Sequence, residues 1–307
     1  MSLELLILGS NAAAFAHRRH HTSQLLKIQN YHFLIDCGEG TQLLLKKNKV
    51  RLSRIDHILI SHLHGDHYFG LIGLISTLHL FGRTKDLLLI GPPGLKEIIS
   101  IQLRYSETSL GFKINYIEFA PGESQVIHDH PKYEIVTIPM DHRVPCSGFL
   151  FREKPKKRRL KREVINELKI SKLDILRLKD GDDLTDEEGN IIHQNNHLTN
   201  EPHPSFSYAY CSDSRLKTEL SEIVKGVDLL YHEATFADDM KDRAASTYHS
   251  TATQAAQFAM LSGASKLILG HFSARYKDLT PILEEAKKVF ENAELAVEGT
   301  NFVIDAK

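Results

Sequence analysis

Short bursts of Ile, Val, Leu, Phe and Tyr recur along the chain, each cut off by Gly, Pro or Asp. Brief apolar, β-branched and aromatic runs between such breakers are the pattern of strands. They predict strands at Leu3–Leu8, His32–Ile35, Ile55–Ile60, Leu87–Ile90, Glu134–Pro139, Gly148–Phe151, Phe206–Cys211, Asp228–Tyr231, Lys266–Leu269 and Ala296–Ile304. A second period appears between them. Leu71, Leu74, Ile75 and Leu78 fall at i, i+3, i+4 and i+7, the apolar stripe of a helix. In "HSTATQAAQFAMLSG" Thr251 and Gln254 fit a capping box and Gly263 supplies the stop. "PILEEAKKVFENA" opens a third helix, with proline where helices tolerate it. Strands and helices interleaved without a repeat predict an α/β layered fold.

One interval breaks the pattern. From Arg152 to about Pro204 the chain turns strongly charged, first basic and then acidic in "KDGDDLTDEEGN". It reads as an arm inserted into the main domain, residues 152–204, with a short helix around Lys161–Ile170. No composition shift marks a second domain, so residues 1–307 are expected to form one unit carrying this insertion.

Composition narrows the function classes. The 307 residues are 42% hydrophobic and 25% charged, as in a soluble globular protein with a sizeable core. The longest apolar stretch, Tyr68 to Gly82, is interrupted by Ser, Thr and His and is too short to cross a bilayer. "MSLELLILGS" lacks a basic leader and reads as a first strand, not a signal peptide. Cys37, Cys146 and Cys211 are odd in number and widely spaced, which suggests a reducing cytoplasm and no disulfide framework. A net charge of −1 gives the molecule no general attraction for polyanions. Any such contact must come from a local patch. The candidate is "KPKKRRLKR", with Lys154, Lys156, Lys157, Arg158, Arg159, Lys161 and Arg162 and no acid among them.

The strand ends are richer in chemistry than the strand interiors. "ILIS" runs into His62, His64, Asp66 and His67; "IVTIPM" into Asp141 and His142; "YAYCS" into Asp213; "DLLYH" into Glu233; and "LILG" into His271. In layered α/β folds ligands gather beyond the carboxyl ends of strands. Imidazole and carboxylate are ligands that suit Zn²⁺ and related divalent ions. His62 and His64, two apart in an extended loop, would face one ion, while Asp66 and His67 begin the next helix and would turn toward a second. Gly65 would give the tight turn, and Gly70 and Gly73 would let that helix pack closely. A lone histidine after a strand is usually a surface or satisfied core residue. Three with an aspartate at this spacing, joined by further strand-end groups, point to a metal site. The remaining histidines in "HRRHH" at 17–21, and His79, His128, His130, His193, His197 and His203, read as solvated.

These motifs carry a resemblance. "HLHGDH" resembles the signature of the metallo-β-lactamase fold superfamily. "SHLHGDHYFGLIGL" with "GPPGLKEII", "HEATF", "YHSTATQAA" and "GHFSARY" is similar to the ribonuclease Z family of tRNA 3′-processing endonucleases, in order and spacing over nearly the whole chain. The resemblance implies a four-layer αβ/βα sandwich with an inserted tRNA-binding arm. It implies two Zn²⁺ per subunit, Mn²⁺ being compatible with the same ligands. One ion would be held by His62, His64 and His142, the other by Asp66, His67 and His271, with Asp213 bridging. Asp66 would accept the proton of the attacking water. Glu233 would raise the pKa of His249, the donor to the leaving oxygen. The substrate would be precursor tRNA, cut to leave a 3′-hydroxyl, and the protein a cytoplasmic homodimer free of membrane. Two features differ from the family's usual form: "GSNAAAFAHRRHH" replaces a Gly-Thr-Gly-rich turn, and residues 163–180 hold no Gly or Pro. The alternative is another hydrolase of this fold, a small-molecule phosphodiesterase or arylsulfatase.

Overall fold

Two seven-stranded sheets face each other in a computed structural model that describes residues 2–163, 168 and 170–305. Eighteen strands occur among the described residues: β1 (Ser2–Gly9), β2 (Ser23–Ile28), β3 (Tyr31–Ile35), β4 (Ile55–Leu59), β5 (Leu87–Gly91), β6 (Ile114–Glu118), β7 (Val126–His130), β8 (Tyr133–Pro139), β9 (Ser147–Glu153), β10 (Arg159–Leu160), β11 (Leu184–Thr185), β12 (Ile191–His193), β13 (Thr199–Asn200), β14 (Ser207–Cys211), β15 (Leu229–Glu233), β16 (Leu267–Gly270), β17 (Ala293–Leu295) and β18 (Asn301–Asp305). The first sheet runs β18-β1-β2-β3-β4-β5-β6 and the second β17-β16-β15-β14-β9-β8-β7. Both are mixed. β3 to β6 pair in parallel, as do β14 to β17, and the remaining pairings are antiparallel.

Strands buried on both faces need apolar residues at nearly every position. In β1, Leu3, Leu5 and Ile7 face the opposite sheet while Leu6 and Leu8 pack under helices of the outer layer. Phe33 and Ile35 of β3 split from Leu34 in the same way. The helix Leu71–Leu80 covers the first sheet with the predicted stripe, Leu71, Leu74, Ile75 and Leu78. Ala252–Ser262 covers the second, its capping box closed by Thr251 and Gln254 and its end turned by Gly263 at φ 64. The helix Thr280–Lys287 carries its proline in the first turn. The result is an αβ/βα sandwich. Between its sheets Phe33, Phe149, Phe151 and Tyr208 are wholly buried. Truncating one such Phe to Ala costs about 3–5 kcal/mol.

Some expectations needed revision. Of the single strand expected over Ala296–Ile304, only Asn301–Ile304 is strand, within β18; residues 296–300 form a turn with Gly299 at φ 83 that joins β17 of one sheet to β18 of the other. Strands β2, β6 and β7 and the helices Thr41–Lys47, Leu95–Tyr105 and Lys172–Asp180 were not expected. β6 and β7 are sheet edges, only half-buried, so their sequences lack the dense apolar signal. Of the short helix expected around Lys161–Ile170, residues 164–167 and 169 lie outside the described residues.

The chain leaves the second sheet at the end of β9 and re-enters at β14, its antiparallel neighbour. Between these points it builds the pairs β10–β13 and β11–β12 and the helix Lys172–Asp180. Leu178, Leu198 and Asn195 are buried there, and the Asn195 side-chain amide donates to the carbonyls of Leu178 (2.8 Å) and Asp182 (2.6 Å).

Candidate metal centre

The carboxyl ends of β3, β4, β8, β14, β15 and β16 open onto one cleft of about 770 Å³. Parallel register sets Glu233 of β15 beside Gly270 of β16, and so beside His271. It sets the end of β14 next to β15, where the Ser214 amide donates to Glu233 Oε1 at 2.8 Å. His62 follows β4 and begins a loop that turns at Gly65 into a single helical turn, Gly65–Tyr68. A Cβ on Gly65 would meet only the ring of the exposed Phe69, at 2.3 Å, and that ring would have to move, whereas one on Gly70 would lie 2.2 Å from the Gly38 carbonyl, so that position requires glycine. Gly73 does not: its nearest neighbour would be 3.8 Å away, so close packing there was the wrong reason for it.

Seven side chains converge in two groups. In the first, His64 Nδ1 lies 3.0 Å from His62 Nε2 and 3.2 Å from His142 Nε2, and Asp213 Oδ2 is 3.7 Å from His62 Nε2. In the second, His67 Nε2 and His271 Nε2 are 3.3 Å apart, with Asp66 Oδ2 at 3.6 and 3.5 Å from them. Asp213 Oδ1 faces this second group, 3.4 Å from His67 and 3.2 Å from His271. One carboxylate thus turns an oxygen to each half. Asp213 Oδ1 is buried yet has no hydrogen-bond partner among the described residues. A buried, partnerless acceptor amid converging imidazole nitrogens is costly unless a cation completes it. The donor set of five imidazoles and two carboxylates therefore fits divalent metal.

The protonation pattern agrees. Burial pushes His62, His64 and His142 below the ordinary imidazole range, so they are neutral, as ligands must be. Burial also opposes charge on His67, but the carboxylates of Asp213, Asp66 and Asp36 outweigh it and hold that ring well above its ordinary value. Burial disfavours ionised Asp213 as well, yet His271 and His67 hold it far below the carboxylate range. The cluster gathers positive charge.

The far nitrogens of four rings are tied down. His67 Nδ1 donates to Asp36 Oδ2 (2.7 Å), His271 Nδ1 to Thr235 Oγ1 (2.9 Å), His142 Nδ1 to the Tyr248 carbonyl (3.2 Å) and His62 Nδ1 to Ser61 Oγ (3.0 Å). Such bonds select the tautomer that turns Nε2 toward a metal. Asp36 is a hub that sequence reasoning missed. Wholly buried, it also accepts from Tyr210 O–H (2.6 Å), Ser61 Oγ (2.8 Å) and the Ser61 amide (2.7 Å). It ends β3 as the other acids end their strands, so the same rule could have found it. Asp36, Tyr248 and His271 have φ of 54°, 60° and 58°, left-handed conformations costing roughly 1–3 kcal/mol each and typical of functional sites.

Beside the cluster stands a second pair. His249 Nδ1 donates to Glu233 Oε1 at 2.9 Å, leaving Nε2 free to face the cleft that the residue lines. Burial opposes charge on His249, but Glu233 overrides it and raises the imidazole to about 9. The next residue, Ser250, fixes this segment to the Asp213 loop through the Ser214 carbonyl, 2.7 Å.

Other expected residues are placed as follows. Asp141, beside the ligand position, is paired with Arg215 at 2.8 Å and takes no part in the cluster. The loop "GSNAAAFAHRRHH" reaches the site through its backbone, the Ala13 amide donating to Asp66 Oδ2 at 2.7 Å. Arg19 and His20 brace that loop instead of lying solvated: Arg19 bonds Asn11 Oδ1 (3.0 Å) and the Tyr276 carbonyl, and His20 pairs with Glu298 (2.9 Å). His128 and His130 are also less solvated than expected, packed around Tyr133 with the buried His57. The basic run is largely engaged locally. Lys154 pairs with Asp129, Lys156 with Glu153 (2.7 Å), Lys157 with Asp180 (2.7 Å) and Arg158 with Glu201 (2.7 Å), while Arg159 and Lys161 bond backbone carbonyls.

Comparison with known proteins gives three kinds of likeness. A family model described as anti-Pycsar protein Apyc1 matches residues 3–154. Ribonuclease Z of Cytophaga hutchinsonii is 49% identical over 304 residues, 99% of this chain and 97% of that protein. Among solved structures, human tRNase Z, short form, superposes with a TM-score of 0.71 at 26% identity, covering 99% of both chains. The metallo-β-lactamase fold protein YhfI from Bacillus subtilis superposes with a TM-score of 0.68 at 19% identity, again over 99% of both, and shows the fold alone.

Proposed function

The chain belongs to the ribonuclease Z family, and from that premise we propose how its cleft works. The protein is a metal-dependent hydrolase, an endoribonuclease of tRNA 3′ processing. Two Zn²⁺ would occupy the halves described above: His62, His64 and His142 hold one, Asp66, His67 and His271 the other, and Asp213 serves both. Bound there, the ions supply positive charge that offsets the pentacovalent phosphorus and acidify water.

The remaining steps belong to side chains. Asp66, oriented by the Ala13 amide, accepts the proton of the attacking water. The bond broken joins phosphorus to the 3′ oxygen of the tRNA body, so the phosphate stays on the trailer. That oxygen leaves with a proton from His249 Nε2, and Glu233 holds the charged imidazole in place. Lys154, Lys156, Lys157, Arg158, Arg159, Lys161 and Arg162 bind RNA backbone through the inserted arm, residues 152–204 of a domain spanning 1–307. Lys157 is 59% exposed even within its ion pair, so phosphate can compete for it. A homodimer in the cytoplasm completes the reading. Leu43, Leu80 and Phe81, exposed near the outer helices, offer surface for a second subunit, and the three buried, unpaired thiols suit a reducing compartment. No helix among the described residues is long and apolar enough to cross a membrane.

The observation that carries the mechanism is Asp213, buried, partnerless at one oxygen and aimed at both halves. The test compares a precursor tRNA transcript with bis(p-nitrophenyl) phosphate, using protein of known metal content. We expect a single cut releasing the trailer. Strong turnover of the small diester with none on the RNA would defeat the assignment in favour of a small-molecule phosphodiesterase.

A further inference from the structure

Thr235 lies between the metal cluster and the proton donor and belongs to neither. It is 3% exposed. Its hydroxyl accepts from His271 Nδ1 at 2.9 Å and donates to Glu233 Oε2 at 2.6 Å. Its amide donates to the same Oε2 at 3.2 Å. Glu233 Oε1 in turn holds His249 at 2.9 Å. A hydroxyl has one proton to give, and the 2.6 Å bond to a carboxylate claims it. Toward His271 the hydroxyl can therefore only accept, so His271 carries a proton on Nδ1, and its neutral ring presents a bare Nε2 to the cluster.

We propose that Thr235 is a positioning residue that fixes the metal-binding tautomer of His271 and, through Glu233, keeps the donor His249 in register with that metal half. The inference rests on the two-metal reading above and adds a residue to it. His271 also has a left-handed φ of 58°, a strained conformation that persists only where the surrounding structure holds it. On the opposite side, the carbonyl of Tyr248, the residue before His249, holds His142 at 3.2 Å. Tyr248 thus holds a histidine of the first half, and Thr235 holds one of the second.

Thr235→Val keeps the shape and removes the hydroxyl. The Nδ1 proton of His271 then has no acceptor in a buried site, and the ring regains hydrogen bonding only by changing tautomer or turning away. Thr235→Ser restores the oxygen. Two measurements apart from turnover of the loaded enzyme test this. In metal-free protein labelled with ¹⁵N-histidine, His271 should show the Nδ1–H form in the wild type and in Thr235→Ser, and a shift toward Nε2–H in Thr235→Val. In chelator competition with Zn²⁺, Thr235→Val should weaken affinity for one ion by about 10–100-fold, the scale of removing an outer hydrogen bond, while the other is retained. Thr235→Ser should recover it. Unchanged tautomer and unchanged affinity in Thr235→Val would overturn the inference. Equal loss of both ions, or no recovery in Thr235→Ser, would also overturn it, because a general packing defect does not choose one half. A wild type that binds no Zn²⁺ would instead sink the two-metal reading itself, so the two failures are distinguishable.

Discussion

The cleft and the arm are both crowded with charge, and they handle it in opposite ways. In the cleft His67, Glu233 and Asp213 have nearly no exposure, and their contacts join residues from opposite halves of the chain. In the arm, apart from the buried Lys156–Glu153 pair at its root, the pairs are more exposed: Lys157 and Asp180 are 59% and 52% accessible, and Glu201, which pairs with Arg158, is 77%. At 4 Å two unit charges interact by about 1 kcal/mol in water and about 4 kcal/mol at the effective dielectric near a protein surface. Desolvation is correspondingly severe inside. The cleft thus commits stability to a charge pattern that only a bound cation completes. The arm holds its charges cheaply, in pairs a phosphate can displace.

The sharpest way to break the contrast is at Asp213. Asp213→Asn removes the carboxylate shared by both halves, so cleavage of RNA and of bis(p-nitrophenyl) phosphate should both fall to background. Metal content by mass spectrometry should drop with them. Retained metal with abolished activity would place Asp213 outside the coordination set.

His249→Ala probes the cleft one layer out. It should keep its metal and cut precursor tRNA about 10²–10⁴-fold more slowly, the scale of a general acid. Turnover of the p-nitrophenyl diester, whose leaving group needs no proton, should suffer far less. Loss of metal in this variant would mean that His249 is a ligand.

A smaller effect is expected in pH dependence. Burial lowers the His249 pKa but Glu233 raises it further, to about 9, above the ordinary 6.5. The protonated donor therefore persists through neutral pH and disappears as pH rises through the raised value. Glu233→Gln removes the main raising influence, so the alkaline limb of the rate profile should move to lower pH. The difference between the two profiles, measured at the same metal loading, is the test. Coincident limbs would remove Glu233 from its role.

The arm should respond to none of these variants and to a different one. Charge reversal across Lys156, Lys157, Arg158, Arg159, Lys161 and Arg162 should weaken tRNA binding and lower the slope of log affinity against log salt. The slope should fall by about 0.7–0.9 for each phosphate that is no longer neutralised, with turnover of the small diester intact. Equal damage to both substrates would show that the run's local ion pairs hold the fold.

The same contrast governs what was legible in the sequence. Titratable groups at strand ends announce themselves, because an apolar run that stops at a histidine or acid is a two-part signal. His62 through His67, His142, Asp213, Glu233 and His271 were all readable that way, and they meet in one cleft. Asp36 obeys the same rule after "FLI" and was passed over because it stands behind the cluster, bonded to His67, and not within it. The Ala13 amide and the Tyr248 carbonyl were not legible at all, since any residue offers them and only the folded backbone aims them. Among strands, most of those buried on both faces were found, but buried β2 was missed along with the half-exposed edges β6 and β7. Ala296–Ile304 was merged across a turn because its apolar residues continue on both sides of Gly299. In the arm the charge run was visible, but its local partners, among them Asp129, Asp180 and Glu201, were not.

The most direct test of the central claim, that the buried cluster gathers cations and cuts RNA with them, is to map the ends made from one precursor tRNA transcript by chelator-stripped and Zn²⁺-restored protein. The account predicts no cut without metal. On restoration it predicts a single cut releasing a trailer with a 5′-phosphate and a tRNA ending in a 3′-hydroxyl. Cleavage by the stripped protein, or a restored cut that leaves phosphate on the tRNA end, would contradict it.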